Sequence, residues 1–168
     1  GASTPSSTND GTSESKVGGQ WTIAISEDPD TLDPQKTAAA VTGGIFRYVG
    51  DTLVTKDFDK NIVPSLATKY EVSDDGLVWT FEIREGVMFH DGTPADAAAI
   101  KASFERALAP ETASPIASGL LGPVDTISVE GSTLRVTLKE PFAIFLDNMT
   151  DPRSAPISVA AAEQAGDQ

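Results

Sequence analysis

The stretch Leu66–Leu108, LATKYEVSDDGLVWTFEIREGVMFHDGTPADAAAIKASFERAL, sets a hairpin, a Gly/Pro-punctuated turn and an amphipathic helix in immediate succession. Tyr70 and Val72 lead into Ser73-Asp74-Asp75-Gly76, where short polar side chains can bond their own backbone and glycine takes a positive φ without a Cβ clash. The chain must reverse there. Beyond the turn Trp79, Phe81 and Ile83 share one face of a period-two strand, and Val78, Thr80, Glu82 and Arg84 share the other, mostly wet face. Glu85-Gly86 closes the strand, and Val87, Met88 and Phe89 run into a second turn at His90-Asp91-Gly92. Thr93 is then placed to cap a helix, with Pro94 at the first helical position and Asp96 in the first turn. Ala97, Ile100, Phe104 and Ala107 or Leu108 recur at helical spacing and form the buried stripe.

Working outward toward the C-terminus, Val124 to Lys139 reads as another hairpin. Ile127 and Val129 precede Gly131-Ser132, a two-residue connection that suits a type II′ turn, and Leu134, Val136 and Leu138 alternate with Arg135, Thr137 and Lys139. Pro141 is expected to start a short helix with Phe142, Phe145, Leu146 and Met149 on its core face, a packing stripe rather than a cofactor box. From Asp151 to Ile157, Pro152 and Pro156 stiffen an extended segment that bears one cation, Arg153. Hairpins and short helices without a βαβ rhythm give an α+β fold class.

Toward the N-terminus, Val41 to Val54 looks helical, with Ile45, Tyr48 and Val49 on one side. Gly43, Gly44 and Gly50 weaken that helix, and the small residues from Ala39 to Gly44 carry two readings: close packing on a neighbour, or backbone left open to a ligand. Trp21 to Ser26 reads as a first strand, followed by the proline-locked acidic turn Asp28-Pro29-Asp30-Thr31-Leu32-Asp33-Pro34. Residues 1–19, rich in Ser, Thr, Gly, Ala and Asn with Val17 as the one larger apolar side chain, cannot bury enough surface to offset their ordering entropy and are expected to be a disordered polar tether. Residues 20–168 would then form the folded part.

The ordered string Trp79-Thr80-Phe81-Glu82-Ile83-Arg84, Gly86-Val87, Phe89-His90-Asp91-Gly92-Thr93-Pro94 and Ala102-Ser103-Phe104-Glu105-Arg106-Ala107-Leu108 resembles the opening region of the family 5 extracellular solute-binding proteins, which serve peptide, nickel and related ABC importers. Thr31-Leu32-Asp33-Pro34, Asp51-Thr52-Leu53-Val54 and Val63-Pro64-Ser65-Leu66-Ala67 extend the resemblance upstream, from about Trp21 to the C-terminus. It implies the N-terminal part of a two-lobed periplasmic-binding-protein-like fold, a partial solute-binding lobe. The work implied is capture of a peptide or a nickel chelate and its delivery to an ABC permease in the membrane. Members of that family are much longer, so the chain is expected to be a fragment whose half-cleft binds weakly and whose exposed surface favours self-association. The tether resembles the segment that follows a lipid-modified cysteine in Gram-positive relatives, which implies a lipid-anchored protein on the outer face of the membrane, or a periplasmic one. An expression scar on a disordered terminus is the plainer alternative.

Composition excludes several other classes. With 25 acidic and 12 basic residues, net charge −13, the chain lacks the clustered cations that nucleic-acid binding needs. It has no cysteine, hence no disulfide or thiolate metal site, and no cofactor is expected. His90 is its one histidine, and a single imidazole makes neither a metal site nor a catalytic triad. Asp28-Pro29-Asp30-Thr31-Leu32 after an apolar run looks like the nucleophile loop of a haloacid-dehalogenase-like phosphatase, the alternative enzymatic reading, with Asp28 attacking phosphorus and Asp30 as acid/base. Pro29 restricts Asp28, and of the lysine and further carboxylates a Mg²⁺ site needs, the one later Asp-Asp pair, Asp74-Asp75, already serves as a hairpin turn. A binding protein without catalysis is the stronger expectation.

Arg153 is the side chain singled out for ligand contact. Its guanidinium offers paired planar donors suited to carboxylates, with flanking prolines that limit backbone movement; a surface salt bridge is the competing reading. Pro152-Arg153 resembles the position where nickel-type members carry an arginine that meets the carboxylates of a chelated metal. The resemblance also implies that Ala40, Val41 and Gly43 border the ligand cleft.

Overall fold

The structure, a computed structural model, describes residues 18–166. The tether expected over residues 1–19 falls almost wholly outside them. A four-stranded antiparallel sheet organises the chain, built from β3 (Ala67–Val72), β4 (Val78–Ile83), β5 (Val124–Glu130) and β6 (Thr133–Leu138) in the order β3-β4-β6-β5. A short hairpin precedes it, β1 (Val54–Lys56) with β2 (Ile62–Pro64). The helices are α1 (Ala40–Val49), α2 (Ala97–Leu108), α3 (Ala117–Leu121), α4 (Phe145–Asn148) and α5 (Val159–Ala165). Single 3-10 turns lie at Pro110–Thr112 and Pro152–Ser154.

The hairpin chemistry read from Ser73 to Gly76 holds in detail. Gly76 adopts φ +72°; its N–H donates to the Ser73 carbonyl at 2.8 Å, and Asp75 accepts from the Leu77 N–H at 3.0 Å. That fixes the register Tyr70↔Phe81, which continues through β6 as Phe81↔Leu134 and through β5 as Ile127↔Val136. Trp79, Phe81 and Ile83 are buried, while Val78, Thr80 and Glu82 are half-buried rather than wet, because β4 is flanked by a strand on each side. At the second hairpin Gly131 has φ +60° and Ser132 does not take a positive φ, as a type II′ connection requires.

The helix α2 covers β5 and β6, placing Ile100 and Phe104 in the same core as Phe81, Leu134 and Val136. Phe145 of α4 closes the core from the side, its ring 5.2 Å from Trp79 and 6.4 Å from Phe81. Each fully buried side chain of this size contributes about 1.5–3 kcal/mol. Met149 is also fully buried, with Phe142 and Leu146 packed on the rim, so the expected stripe is present, although α4 begins at Phe145 and not at Pro141.

Four expectations need correction. The cap of α2 is Asp96, whose side chain accepts from the Ala99 N–H at 2.9 Å, and not Thr93. Thr93 is taken up by its own turn: Asp91 accepts from both its N–H and its hydroxyl, and Pro94 and Ala95 then lie beside Met88 and Val87 before the helix can start. Trp21–Ser26 alternates like a strand but pairs with none, and Trp21 is 86% exposed. Alternation supplies two faces, whereas a ladder needs a partner, and the segment joins neither of the sheet's edge strands, β3 and β5. In α1 the buried residues are Thr42 and Gly43, with Tyr48 and Val49 exposed, because the helix packs through its small N-terminal residues on the Pro152–Ser154 turn. That turn itself replaces the extended segment expected between Pro152 and Pro156.

A polar junction joins three distant passages. Arg106 of α2 pairs with Asp33 and also donates to the Gln35 side-chain oxygen. The Gln35 amide nitrogen donates to the carbonyl and the hydroxyl of Ser103, at 2.9 and 3.0 Å. The same Ser103 hydroxyl accepts from the Ile157 N–H at 3.0 Å.

Candidate functional site

The approach to α1 is fixed by Thr37, whose hydroxyl donates to the Asp30 carboxylate at 2.8 Å and accepts from the Ala39 N–H at 2.9 Å. Thr42 adds a bond from its hydroxyl to the Thr31 carbonyl at 3.0 Å. The helix then begins without a side-chain cap, since Ala39 has no acceptor to offer, and its first turn holds no acidic residue. Backbone N–H groups at such a start lack intrahelical partners and carry the positive end of the helix dipole.

Arg153 lies against this turn. A Cβ added at Gly43 would stand 3.3 Å from its Cγ and 3.4 Å from its Cδ, so the glycine leaves the channel in which the arginine stem runs. Further along α1, Gly50 is pressed as closely on Ala155. Asp151 grips the arginine head: its Oδ1 accepts from Nε at 3.0 Å and its Oδ2 from Nη2 at 2.8 Å. The same Oδ1 caps the 3-10 turn by accepting the Arg153 backbone N–H at 2.9 Å. Both side chains are 28% exposed. The hydrogen bond from Arg153 holds the Asp151 carboxyl below the usual carboxylate range against the opposing effect of burial, with a further contribution from Arg47 of α1. In return, the bond to Asp151 pushes the Arg153 guanidinium up.

Of the residues expected to meet a ligand, Arg153 and Gly43 are therefore in contact, and Ala40 and Val41 lie in the same helical turn as Gly43, Ala40 exposed and Val41 half-buried. Sequence reasoning missed Asp151 and Arg47. The signal for Asp151 was present in Asp-Pro-Arg, an aspartate ahead of a proline at the first position of a helical turn.

A broad apolar groove of about 530 Å³ lies elsewhere, between the C-terminal half of α1 (Phe46, Val49), the Val87–Asp91 passage and α5 (Ala161, Ala165). It includes neither Arg153 nor Ala40–Gly43, so the two features use opposite halves of α1. His90 is an exposed turn residue on its rim. Its neighbour Asp91 accepts from the hydroxyls of Ser158 and Thr93, which lower its carboxyl, and so ties the turn to the start of α5.

The phosphatase alternative finds no support. Every strand pairing among the described residues is antiparallel, Asp28 is exposed, and both oxygens of Asp30 accept from the Thr37 hydroxyl. No group of three or more His, Asp or Glu side chains converges as a metal site among the described residues, and no helix there is long and apolar enough to cross a membrane.

Comparison with known proteins finds relatives in both sequence and structure. The family model of the bacterial extracellular solute-binding proteins, family 5 (middle), matches residues 61–168. The glutathione-binding protein GsiB of Escherichia coli (strain K12) is 33% identical over 144 residues, covering 86% of this chain and 28% of GsiB. The chain thus spans little more than a quarter of the length of the curated relatives it matches. Among solved structures, the Escherichia coli murein tripeptide binding protein MppA superposes with a TM-score of 0.75 at 27% identity, over 83% of this chain and 31% of MppA. A nickel ABC transporter protein of Bacillus halodurans superposes at 0.66 with 37% identity, over 77% and 26%.

Proposed function

The chain belongs to the bacterial extracellular solute-binding proteins of family 5, and from that premise we propose that it is part of the receptor of an ABC importer, binding a carboxylate-bearing peptide or metal chelate and delivering it to the permease. The protein works outside the cytoplasm, held to the outer face of the membrane by a lipid anchor or free in a periplasm.

The observation that carries the site is Arg153 laid across Gly43 at the uncapped start of α1. A guanidinium and unpaired N–H groups on one small surface suit a carboxylate, which accepts in a plane from both. Peptides and metal chelates share that group, and the relatives named for glutathione, a murein tripeptide and nickel fall within the same chemistry. The groove along α5, with Leu32, Val49 and Met88 exposed around it, gives two copies of this chain an apolar face on which to associate.

The test is an NMR titration of the ¹⁵N-labelled chain with glutathione, a tripeptide and Ni²⁺-histidine in turn. At least one should move the Ala40–Gly43 amides and the Arg153 side chain, and Arg153→Ala should abolish the response. Shifts confined to other residues, or shifts that survive Arg153→Ala, would overturn the assignment. Sedimentation across a hundredfold concentration range tests the self-association, which a constant monomer mass rules out.

A further inference from the structure

We propose that Asp151 is the positioning residue of this site: it occupies the Nε/Nη2 edge of Arg153 and so leaves the end-on Nη1/Nη2 edge as the one that meets a ligand carboxylate. The inference rests on Arg153 being the ligand-binding cation.

Arginine has two edges able to grip a carboxylate with paired donors, the side-on Nε/Nη2 edge and the end-on Nη1/Nη2 edge. Asp151 closes the first with bonds of 3.0 and 2.8 Å. Of the five guanidinium donors, the three left over sit on Nη1 and Nη2, and one from each nitrogen points along the open edge. No described protein group takes up Nη1.

The side chain is fixed at both ends of its stem as well as at its head. Its backbone N–H is bound by the same aspartate oxygen that holds Nε, and Pro152 sets the backbone one residue before it. Its Cγ and Cδ pack against position 43, 3.3 and 3.4 Å from where a larger residue would put a Cβ. An arginine restrained in this way loses little freedom when a ligand arrives, which is how a supporting group raises affinity without touching the ligand. The arrangement also sets the charge. Asp151 offsets Arg153, and Arg47, near enough to act on the same carboxylate, restores one net positive charge across the three. One carboxylate balances it.

The test uses the whole chain, glutathione as the probe, and the Arg153 Nε–H signal as the reporter. In the wild type that proton should exchange slowly and stay in place at saturating glutathione, while the Nη signals and the Ala40–Gly43 amides move. Asp151→Asn, which keeps an oxygen for the turn's N–H, should weaken binding about tenfold or more with an unchanged amide spectrum elsewhere, and Asp151→Glu should recover part of the loss. Binding by Asp151→Asn as tight as wild type or tighter would mean that the aspartate competes with the ligand, and sinks this inference while leaving Arg153 as the anchor. An Nε–H that moves with glutathione does the same. Glutathione that leaves both Arg153 and α1 undisturbed in the wild type removes the reading of the site itself, and the role of Asp151 with it.

Discussion

Arg106 on α2 holds Asp33, 73 residues earlier, through an Nη2 to Oδ2 bond of 2.7 Å, with the two side chains only 15% and 17% exposed. The pair ties the Thr31–Pro34 passage to the helix that covers the sheet. Neutralising one partner leaves the other charge partly buried without its counter-ion, and at this exposure Asp33→Asn should cost about 2–3 kcal/mol. Urea denaturation checks it. The double variant Asp33→Asn with Arg106→Met should lose less than the sum of the single losses, since neither charge is then stranded.

Gly122 is a position where no side chain fits. Its φ is +68°, and a Cβ there would stand 2.4 Å from the Phe142 ring. Gly122→Ala combines backbone strain with a clash and should destabilise by about 2–4 kcal/mol. Adding Phe142→Ala should return part of that loss, and a strictly additive pair would show that the ring is not the obstacle.

Acid should loosen the turn that carries Arg153. The Asp151 carboxyl is depressed in the fold by its bond from Arg153. Its contribution is therefore present above the unfolded aspartate value, about 3.9, and is lost as pH falls through the lower folded value. Wild-type stability, followed by denaturant midpoint from pH 6 downward, should fall more steeply below about pH 4 than that of Asp151→Asn. Equal slopes would show that the ion pair has no stabilising effect. Asp57, Asp75 and Asp91 shift the same way but are fully exposed, so solvent screens them and their slopes should be shallow.

Phe58 projects entirely into solvent from the β1–β2 turn. Phe58→Ser removes no packing and should leave stability within about 0.5 kcal/mol of wild type, as read by thermal melting. A larger loss would reveal a contact for the ring that the structure does not contain.

What could be read from the sequence divides by range. Ser73-Asp74-Asp75-Gly76 and Gly131-Ser132 fix their turns through bonds within a few residues, so both hairpins and their buried faces followed from local chemistry. The α2 stripe followed too, because Ile100 and Phe104 repeat at helical spacing. Errors begin where a local signal had a distant competitor. Thr93 has the chemistry of a cap, but Asp91 claims it first. Trp21, Ile23 and Ile25 have the alternation of a strand but stay exposed and join neither edge of the sheet. In the candidate site, Arg153 was legible as a cation between prolines. Its contact with Gly43, across more than a hundred residues, was not, and no periodicity could report that an arginine stem packs tightly against a glycine's bare backbone.

The hydroxyl oxygen of Ser103, which accepts from both the Gln35 side chain and the Ile157 backbone, sets a mechanical condition on the molecule. Two passages with no covalent link near one another are riveted at a single buried atom, so neither can swing without dragging its companion. Whatever rearrangement carries the passage around Gln35 must carry the approach to α5 by the same stroke.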